Sequence, residues 1–325
     1  MNSKNSFLQG PWFPGLIVVF LGLVILWSAS NFLRQDEDRQ LHRVSVIIED
    51  SANDRWTAFR LGIDQAAREY GIDVTITASA GFESLEDQKK LISQEVSGGT
   101  QALILSLFDS ERTDILLEGV PEDMNIILAE TDGIRQTPGT GMAAVTPSGR
   151  DMGRDLGQML LDTEISAPSV AVVTGNLSRY TEAEILDGLT ETVEEAGGSV
   201  LVLSSRDRDM EEIMDLASNM DLTAVLEDCL LAEAASLAET RALPEGRLFG
   251  IGCSPSNIYY LDRGIISGMV IPNEFTMGYQ SLALLARRLN NDIQVMQDVG
   301  IDYACVLSEE VHDPANEKLL FPLVQ

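Results

Sequence analysis

The chain has 325 residues, of which 45% are hydrophobic and 22% charged, and its 22 Lys and Arg stand against 51 Asp and Glu. This is the composition of a folded protein, with length for two domains at roughly 100–200 residues each. The net charge of −29 argues against a nucleic-acid partner, because binding along DNA or RNA requires positive charge. Two histidines and three cysteines are too few for zinc sites at the usual spacings, so neither a metal nor a cofactor is expected.

An uncharged apolar stretch at residues 15–33 is close to the roughly 20 residues that cross a hydrocarbon core of about 30 Å. No cysteine near its end could carry a lipid, and a cleavage site is only faintly suggested, so we expect a transmembrane anchor and not a removed signal peptide. Residues 34–42 then form a polar tether. Basic and acidic residues are mixed after the span, so the charge pattern leaves its orientation open.

After the tether, β-branched apolar runs alternate with segments of helical periodicity. The predicted strands are residues 44–48, 74–78, 102–105, 125–129, 170–174, 199–203, 224–227, 248–251, 266–271 and 301–307. The predicted helices are residues 56–70, 84–97, 111–117, 150–161, 181–196, 210–220, 231–240, 256–262 and 277–288. Apolar strands separated by helices predict parallel sheets covered on both faces, hence an α/β fold. The alternation starts over near residues 146–149, which indicates two lobes with a cleft between them.

Polar loops follow several predicted strands, where open parallel sheets bind ligands. Asn53 could cap the first helix or hydrogen-bond a ligand, and Trp56 could stack on a ligand or face the core. Asp109 would cap its helix. Glu130 could accept from ligand hydroxyl groups or stand in a solvated turn.

Other motifs carry no chemistry. The loop 174–180 lacks the pattern of a phosphate loop, and no nucleophile has a base and an orienting acid nearby, so the chain is not expected to be an enzyme. Gly153 and Gly157 suggest close packing of their helix against a strand. A disulfide between Cys229 and Cys253 is conceivable, but free thiols are the expected state.

Four segments, in order, resemble the ribose/galactose-binding branch of the type I periplasmic-binding-protein superfamily, and the likeness extends from about residue 43 to residue 307. The segments are VSVIIEDSANDRWTAFRLGIDQAAREYG, GGTQALILSLFDSE, VAVVTGNLSRYTEAEILDGLTETVEEAGG and GIISGMVIPNEFTMGYQSLALLARRL.

The resemblance implies two doubly wound parallel-sheet lobes joined by three crossings, which close like a hinge over a small polar solute. The N-lobe is expected at residues 43–147 plus 274–303, and the C-lobe at residues 148–273 plus 304–325. Because anchored members of the superfamily face outward, residues 1–14 are expected in the cytoplasm, with the domain on the extracytoplasmic side of the cell membrane.

Site residues follow from the resemblance by position. In the C-lobe, residues of this chain differ from the polar residues that the family usually has at the same positions. Ile185 occupies the position of an arginine, Cys229 that of an asparagine, Gly252 that of an aspartate and Pro272 that of a glutamine. Such groups each contribute on the order of 1–3 kcal/mol to recognition, so an ordinary free sugar is doubtful. The residues expected at the ligand are Asn53, Arg55, Trp56, Asp109, Glu130, Ser148, Tyr180, Ile185, Asp228, Cys229, Gly252, Pro272, Asn273 and Phe275.

Two functions are compatible with these features. The chain is expected to be a membrane-anchored solute-binding protein for the permease of an ABC importer, with a sugar-like ligand. The alternative is a ligand-sensing co-receptor for a membrane histidine kinase. The related repressors begin with a DNA-binding motif, where this chain has its hydrophobic span, so a repressor is rejected.

Overall fold

The computed structural model describes residues 21–22, 42–49, 56–79, 82, 84–131, 141–241, 246–314, 316 and 320. Residues 42–325 form one compact unit. The predicted anchor, apart from residues 21–22, lies outside the described residues, as do Asn53 and Arg55. Within the described ranges, no helix is long and apolar enough to cross a membrane.

Strands and helices alternate along the chain, as the apolar periodicity predicts. The described strands are β1 (His42–Glu49), β2 (Ile72–Ser79), β3 (Ala102–Ser106), β4 (Asn125–Ala129), β5 (Met142–Thr146), β6 (Ser169–Thr174), β7 (Ser199–Ser204), β8 (Leu222–Val225), β9 (Leu248–Ile251), β10 (Gly268–Pro272), β11 (Val299–Gly300) and β12 (Tyr303–Leu307). The described α-helices are α1 (Thr57–Tyr70), α2 (Leu85–Ser97), α3 (Thr113–Leu116), α4 (Gly149–Leu161), α5 (Tyr180–Glu195), α6 (Met210–Ala217), α7 (Asp228–Arg241), α8 (Pro255–Asp262) and α9 (Glu274–Leu289).

The strands form two six-stranded sheets, which confirms the prediction of an α/β fold with two lobes. The N-lobe sheet is parallel throughout and has the order β11-β5-β4-β3-β1-β2. The C-lobe sheet has the order β12-β10-β9-β8-β6-β7, and β12 runs antiparallel to β10 at its edge. Helices α1, α2, α3 and α9 pack in the N-lobe, and the others pack in the C-lobe.

Both faces of each sheet are buried, which explains why the central strands are almost wholly apolar. In β1, Val46 and Ile48 join the core on one face, and Ile47 joins the core on the other. In β6, Val173 and Val172 divide between two cores in the same way. A charged side chain at any of these positions would be buried without water.

The chain passes between the sheets after β5, after β10 and between β11 and β12. The predicted strand 301–307 covers β12 and begins two residues too early, because residues 301–302 connect β12 to β11, which was not predicted. Strand β5 was not predicted at all. The helices that follow the first two passages are α4 and α9.

Each of these helices packs very closely against another helix of the lobe that it enters, α4 against α5 and α9 against α1. A Cβ on Gly153 of α4 would lie 2.1 Å from the backbone oxygen of Ile185 in α5. A Cβ on Gly278 of α9 would lie 2.1 Å from the backbone oxygen of Phe59 in α1. The expectation that Gly153 faces a strand is wrong, since its neighbour is a helix. Glycine is required here because no side chain fits between the backbones.

Candidate functional site

A cavity of about 80 Å³ lies between the two lobes. A single water molecule needs roughly 10–15 Å³ of such volume, so the cavity has room for a small ligand. Its polar and charged lining comprises Glu130, Arg179, Thr181, Glu182, Glu227, Asp228 and Glu274. The remaining lining comprises Pro147, Met152, Ile185, Leu226, Ile251, Gly252, Cys253, Pro272 and Met277.

The lining residues come from the carboxyl ends of strands in both sheets. Glu130 follows β4, Asp228 begins the helix after β8, and Gly252 follows β9. Pro272 is the last residue of β10. The cavity therefore occupies the place where open parallel sheets bind their ligands.

Glu130 directly follows β4 and lines the cavity from the side of the N-lobe. Its φ is +62°, a left-handed conformation that costs a non-glycine residue on the order of 1–2 kcal/mol. The Ser106 hydroxyl donates to Glu130 Oε2 at 3.1 Å, and the Thr181 hydroxyl donates to the Glu130 backbone oxygen from the other lobe. These contacts hold the strained residue at the cleft, as is common at ligand sites.

Glu182 is a buried carboxylate in the first turn of α5. Its two carboxylate oxygens accept from the backbone N–H groups of Gly175 at 2.6 Å and Asn176 at 2.9 Å. Burial raises the pKa of Glu182 above its usual range, the neighbouring Glu227 raises it further, and the two N–H groups oppose this shift. The site thus keeps a carboxyl group in a poorly solvated position.

Glu227 lies beside Glu182, where the absence of a side chain at residue 175 makes space for it. A Cβ on Gly175 would come within 1.6 Å of Glu227 Oε2. The guanidinium Nη1 of Arg179 lies 3.6 Å from Glu227 Oε1, and both side chains are mostly buried. Any side chain at residue 175 would therefore displace Glu227 and disturb this ion pair at the cavity.

Asp228 is 5% exposed and begins α7. Its Oδ1 accepts from the backbone N–H groups of Cys253 at 2.7 Å and Ser254 at 2.9 Å. Its Oδ2 has no hydrogen-bond partner within the described part of the chain. A Cβ on Gly252 would lie 2.8 Å from Asp228 Oδ1, so the glycine leaves room for this carboxylate.

The acidic side chains of the described lining do not form a metal site. Among the ranges that the structure describes, no group of three or more His, Cys, Asp or Glu residues could hold a metal ion. None of the three cysteines, all of which are described, is in a disulfide bond.

The two lobes contact each other directly beside the cavity. The Asn176 side-chain amide donates to the Phe108 backbone oxygen at 2.7 Å, and the Ser110 backbone N–H donates to the Ser178 oxygen at 3.0 Å. The Tyr180 backbone N–H donates to the Ser110 hydroxyl oxygen at 3.3 Å. These bonds connect the loop after β3 with the loop after β6.

Five of the residues predicted from the sequence line the cavity: Glu130, Ile185, Asp228, Gly252 and Pro272. Others hold turns or helix ends. Asp109 Oδ1 accepts from the backbone N–H groups of Glu111 and Arg112 in the turn ahead of α3, so the prediction that Asp109 caps this helix is wrong, because the N-cap is Arg112. Ser148 and Asn273 are the N-caps of α4 and α9, and their side chains accept from Asp151 and Thr276.

The other predicted residues that the structure describes are not among the lining residues. Trp56 is 2% exposed and packs edge-to-face on Phe59 in the N-lobe core, with ring centroids 5.1 Å apart. Tyr180 is exposed, Phe275 is half-buried, and Cys229 is outside the lining. The burial of Trp56 supports a role in the core, and the expected contact of Tyr180, Phe275 and Cys229 with a ligand stays a prediction.

Sequence reasoning missed Glu182, Glu227 and Glu274, which all line the cavity. Glu227 is the last residue of the predicted strand 224–227 and directly precedes Asp228, and this position at a strand end could have identified it. Glu182 gave no such signal, because a glutamate in the first turn of a helix is usually explained by its favourable interaction with the helix dipole.

Residues 44–292 match the family described as the periplasmic binding protein domain. The chain belongs to this family. The match confirms the superfamily that the sequence resembles, and it makes this periplasmic binding protein domain a solute-binding protein and not an enzyme. A comparison with curated proteins finds no match.

Solved structures share the fold of this periplasmic binding protein domain at low sequence identity. GanP, a glucose-galactose binding protein from Geobacillus stearothermophilus, is 16% identical, with a TM-score of 0.72 over 84% of this chain and 100% of its own. An ABC-transporter solute-binding protein from Burkholderia graminis, in complex with D-arabinose, is 14% identical, with a TM-score of 0.73 over 85% of this chain and 99% of its own. A chain of the XylFII-LytSN complex is 15% identical, with a TM-score of 0.70 over 83% of this chain and 99% of its own.

Proposed function

We propose that the chain is an extracytoplasmic, membrane-anchored solute-binding protein that captures a small polar, sugar-like ligand between its lobes for an ABC importer. The observation that carries the proposal is the cavity at the carboxyl ends of both sheets, closed at its side by hydrogen bonds between the lobes. The names of the structural neighbours support a sugar-like ligand. The apolar stretch at residues 15–33 supports the anchor.

The mechanism is capture by closure of a hinge formed by the three connections between the sheets. In the open form, Glu130 on one side and Asp228 on the other present oxygen atoms that accept from ligand hydroxyl groups. Apolar side chains such as Ile185 and Met277 cover the carbon skeleton of the ligand. Closure then forms the bonds between the loops after β3 and β6 and excludes water.

A thermal-shift panel tests this function. A ligand that binds only the folded chain stabilises it by RT ln(1 + [L]/Kd), so at least one of D-glucose, D-galactose and D-arabinose, or one of their amino or deoxy derivatives, should raise the Tm. Glu130→Ala should reduce that rise. The matched control is Glu118→Ala, because Glu118 is in the same lobe but pairs with Lys89 outside the cavity. A flat response to every sugar, amino acid and nucleoside tested would contradict the proposal.

A second candidate function is sensing, in which the closed lobes engage the outer domain of a membrane histidine kinase. It is favoured by the structural neighbour in the XylFII-LytSN complex. It also suits an anchored chain, since an importer usually needs its binding protein in excess. A permease pair encoded beside this gene would favour delivery, and an adjacent histidine kinase would favour sensing.

A further inference from the structure

Strand β7 lies at the edge of the C-lobe sheet. It pairs with β6 on one side, and no strand of the described ranges pairs with it on the other. The Ser199 backbone N–H donates to the Pro168 oxygen at 3.0 Å, and the Ser205 backbone N–H donates to the Thr174 oxygen at 2.9 Å. The odd-numbered residues of β7 therefore direct their backbone groups toward β6.

The even-numbered residues Val200, Val202 and Ser204 direct their backbone N–H and C=O groups outward, because these groups alternate in direction along a strand. Such an edge is a template for pairing with another chain, and proteins usually protect it with charged side chains or proline. Residues 196–205 include neither a charged residue nor a proline. Leu201 and Val202 are 40% and 43% exposed. The edge of β7 thus lacks both of these protections.

Strand β2 is the corresponding edge of the N-lobe sheet, and its sequence is different. It begins opposite the first residue of β1, as β7 begins opposite the first residue of β6. The second and fourth residues of β2 are Asp73 and Thr75, which are both exposed. The second and fourth residues of β7 are Val200 and Val202. The valines are therefore a property of this surface and not a requirement of the fold.

We propose that β7 is the interface of a homodimer, in which it pairs antiparallel with β7 of a second copy about a two-fold axis at Val202. In an antiparallel ladder, hydrogen-bonded residues direct their backbone groups toward each other. The axis at Val202 satisfies this rule for all outward groups, because Val202 faces its own counterpart and Val200 faces that of Ser204. The two C-lobe sheets then form one continuous sheet.

The sequence of β7 favours a second copy over an unrelated partner. A two-fold interface requires a surface that is complementary to itself. The strand SVLVLS has serine at both ends and alternating valine and leucine between them, so it presents nearly the same pattern in both directions. Two chains of net charge −29 repel each other, and an uncharged strand is where they can approach with least repulsion.

The charges at the two ends of β7 favour the antiparallel direction. Glu194 and Glu195 precede the uncharged segment, and Arg206 is the first charged residue after it; all three are exposed. Asp207 and Arg208 follow with opposite charges. Antiparallel pairing brings the acidic end of one copy to Arg206 of the other, whereas parallel pairing would bring the two acidic ends together.

The test is sedimentation equilibrium of the intact chain in a density-matched detergent, which accommodates the predicted anchor. One strand per copy is a small interface, so we expect a dissociation constant on the order of 10 μM. The average mass should therefore rise from one copy toward two between about 1 and 200 μM.

Val202→Lys should weaken this dimer at least about tenfold, because it places two like charges opposite each other at the axis. Thr75→Lys is the matched control, since it adds the same charge at the equivalent exposed position of β2. The control should dimerise like the wild type.

Hydrogen–deuterium exchange of the wild-type chain keeps the test decisive even if Val202→Lys fails to fold. Exchange of the amides in residues 199–204 should slow as the protein concentration rises, because pairing protects the outward N–H groups. Exchange in β2 should not change. Concentration-dependent mass and protection of β7 that Val202→Lys removes would support the proposal.

Four results would overturn it. These are a monomer at every concentration, a dimer that Val202→Lys leaves intact, equal weakening by Thr75→Lys, and protection that is absent from β7. A mass that grows beyond two copies would contradict the two-fold axis, because that pairing uses the open edge of both copies and closes the assembly. The inference does not depend on the identity of the ligand.

Discussion

At the scale of single residues, Glu182 gives the clearest prediction about pH. Its pKa in the folded chain is raised above the usual value of 4.5, so the folded state binds the proton more tightly than the unfolded state. The stabilisation is complete below about pH 4.5 and is lost as the pH rises through the folded pKa. Glu182→Gln should therefore gain stability relative to the wild type as the pH rises across this window, measured by urea unfolding.

Glu118→Gln is the control for this measurement, because its pKa shift has the opposite sign. A side-chain hydrogen bond from Lys89 lowers the pKa of Glu118, so Glu118 contributes stability above its unfolded pKa that is lost on acidification. This variant should lose stability relative to the wild type as the pH rises. If the stability of both variants relative to the wild type changed in the same direction with rising pH, the raised pKa assigned to Glu182 would be contradicted.

Trp56 tests whether the aromatic residue of the first loop serves the core or the ligand. The sequence allows both roles, and its burial against Phe59 supports the core. Trp56→Ala should lower the free energy of unfolding by about 3–5 kcal/mol and leave the affinity of the folded fraction nearly unchanged. Unfolding and calorimetry on one preparation check this. Weakened binding at full stability would show that Trp56 serves the ligand.

The chemistry of the site could be predicted from the sequence only in part. Strand ends identified Glu130 and Asp228, because carboxyl ends of parallel strands meet at one edge. The resemblance marked Ile185 and Gly252 as losses of polar groups. It could not show that Glu182 reaches back to the loop after β6, since that contact depends on how the backbone turns and not on the pattern of residues.

At the scale of elements, the close helix pairs predict a strong response to a single methyl group. Gly153→Ala forces α4 away from α5, because the new Cβ would lie 2.1 Å from a carbonyl oxygen. We expect a loss of about 1–3 kcal/mol in the free energy of unfolding. Gly300→Ala is the control, since a Cβ there has open space and should change stability by less than about 0.5 kcal/mol. Equal effects would contradict the described packing.

Strands were predictable where an apolar run was long and bounded by helices, as in β1, β3 and β6. Strand β5 was missed because two alanines stand in its sequence MAAVT in place of the leucine and β-branched residues that make β1, β3 and β6 recognisable. Strand β11 has only two residues, Val299 and Gly300, and it could not be predicted because so short a segment shows no periodicity. The antiparallel direction of β12 depends likewise on the path of the chain between the lobes.

At the scale of the whole molecule, the hydrogen bonds between the lobes should contribute to ligand affinity through the closed form. Ser110→Ala removes the acceptor for the Tyr180 backbone N–H without touching the cavity lining. One such bond contributes about 0.5–1.5 kcal/mol, so affinity for a panel sugar should fall by roughly two- to tenfold. Ser93→Ala, which loses a bond within α2, is the control. Unchanged affinity in Ser110→Ala would contradict this role of the contact.

The central claim is that two separate lobes close over a small ligand. Small-angle X-ray scattering of the intact chain, recorded with and without D-galactosamine and D-galactose, measures this closure directly. The account predicts that whichever sugar raises the Tm also lowers the radius of gyration. A sugar that binds but leaves the scattering curve unchanged would contradict it.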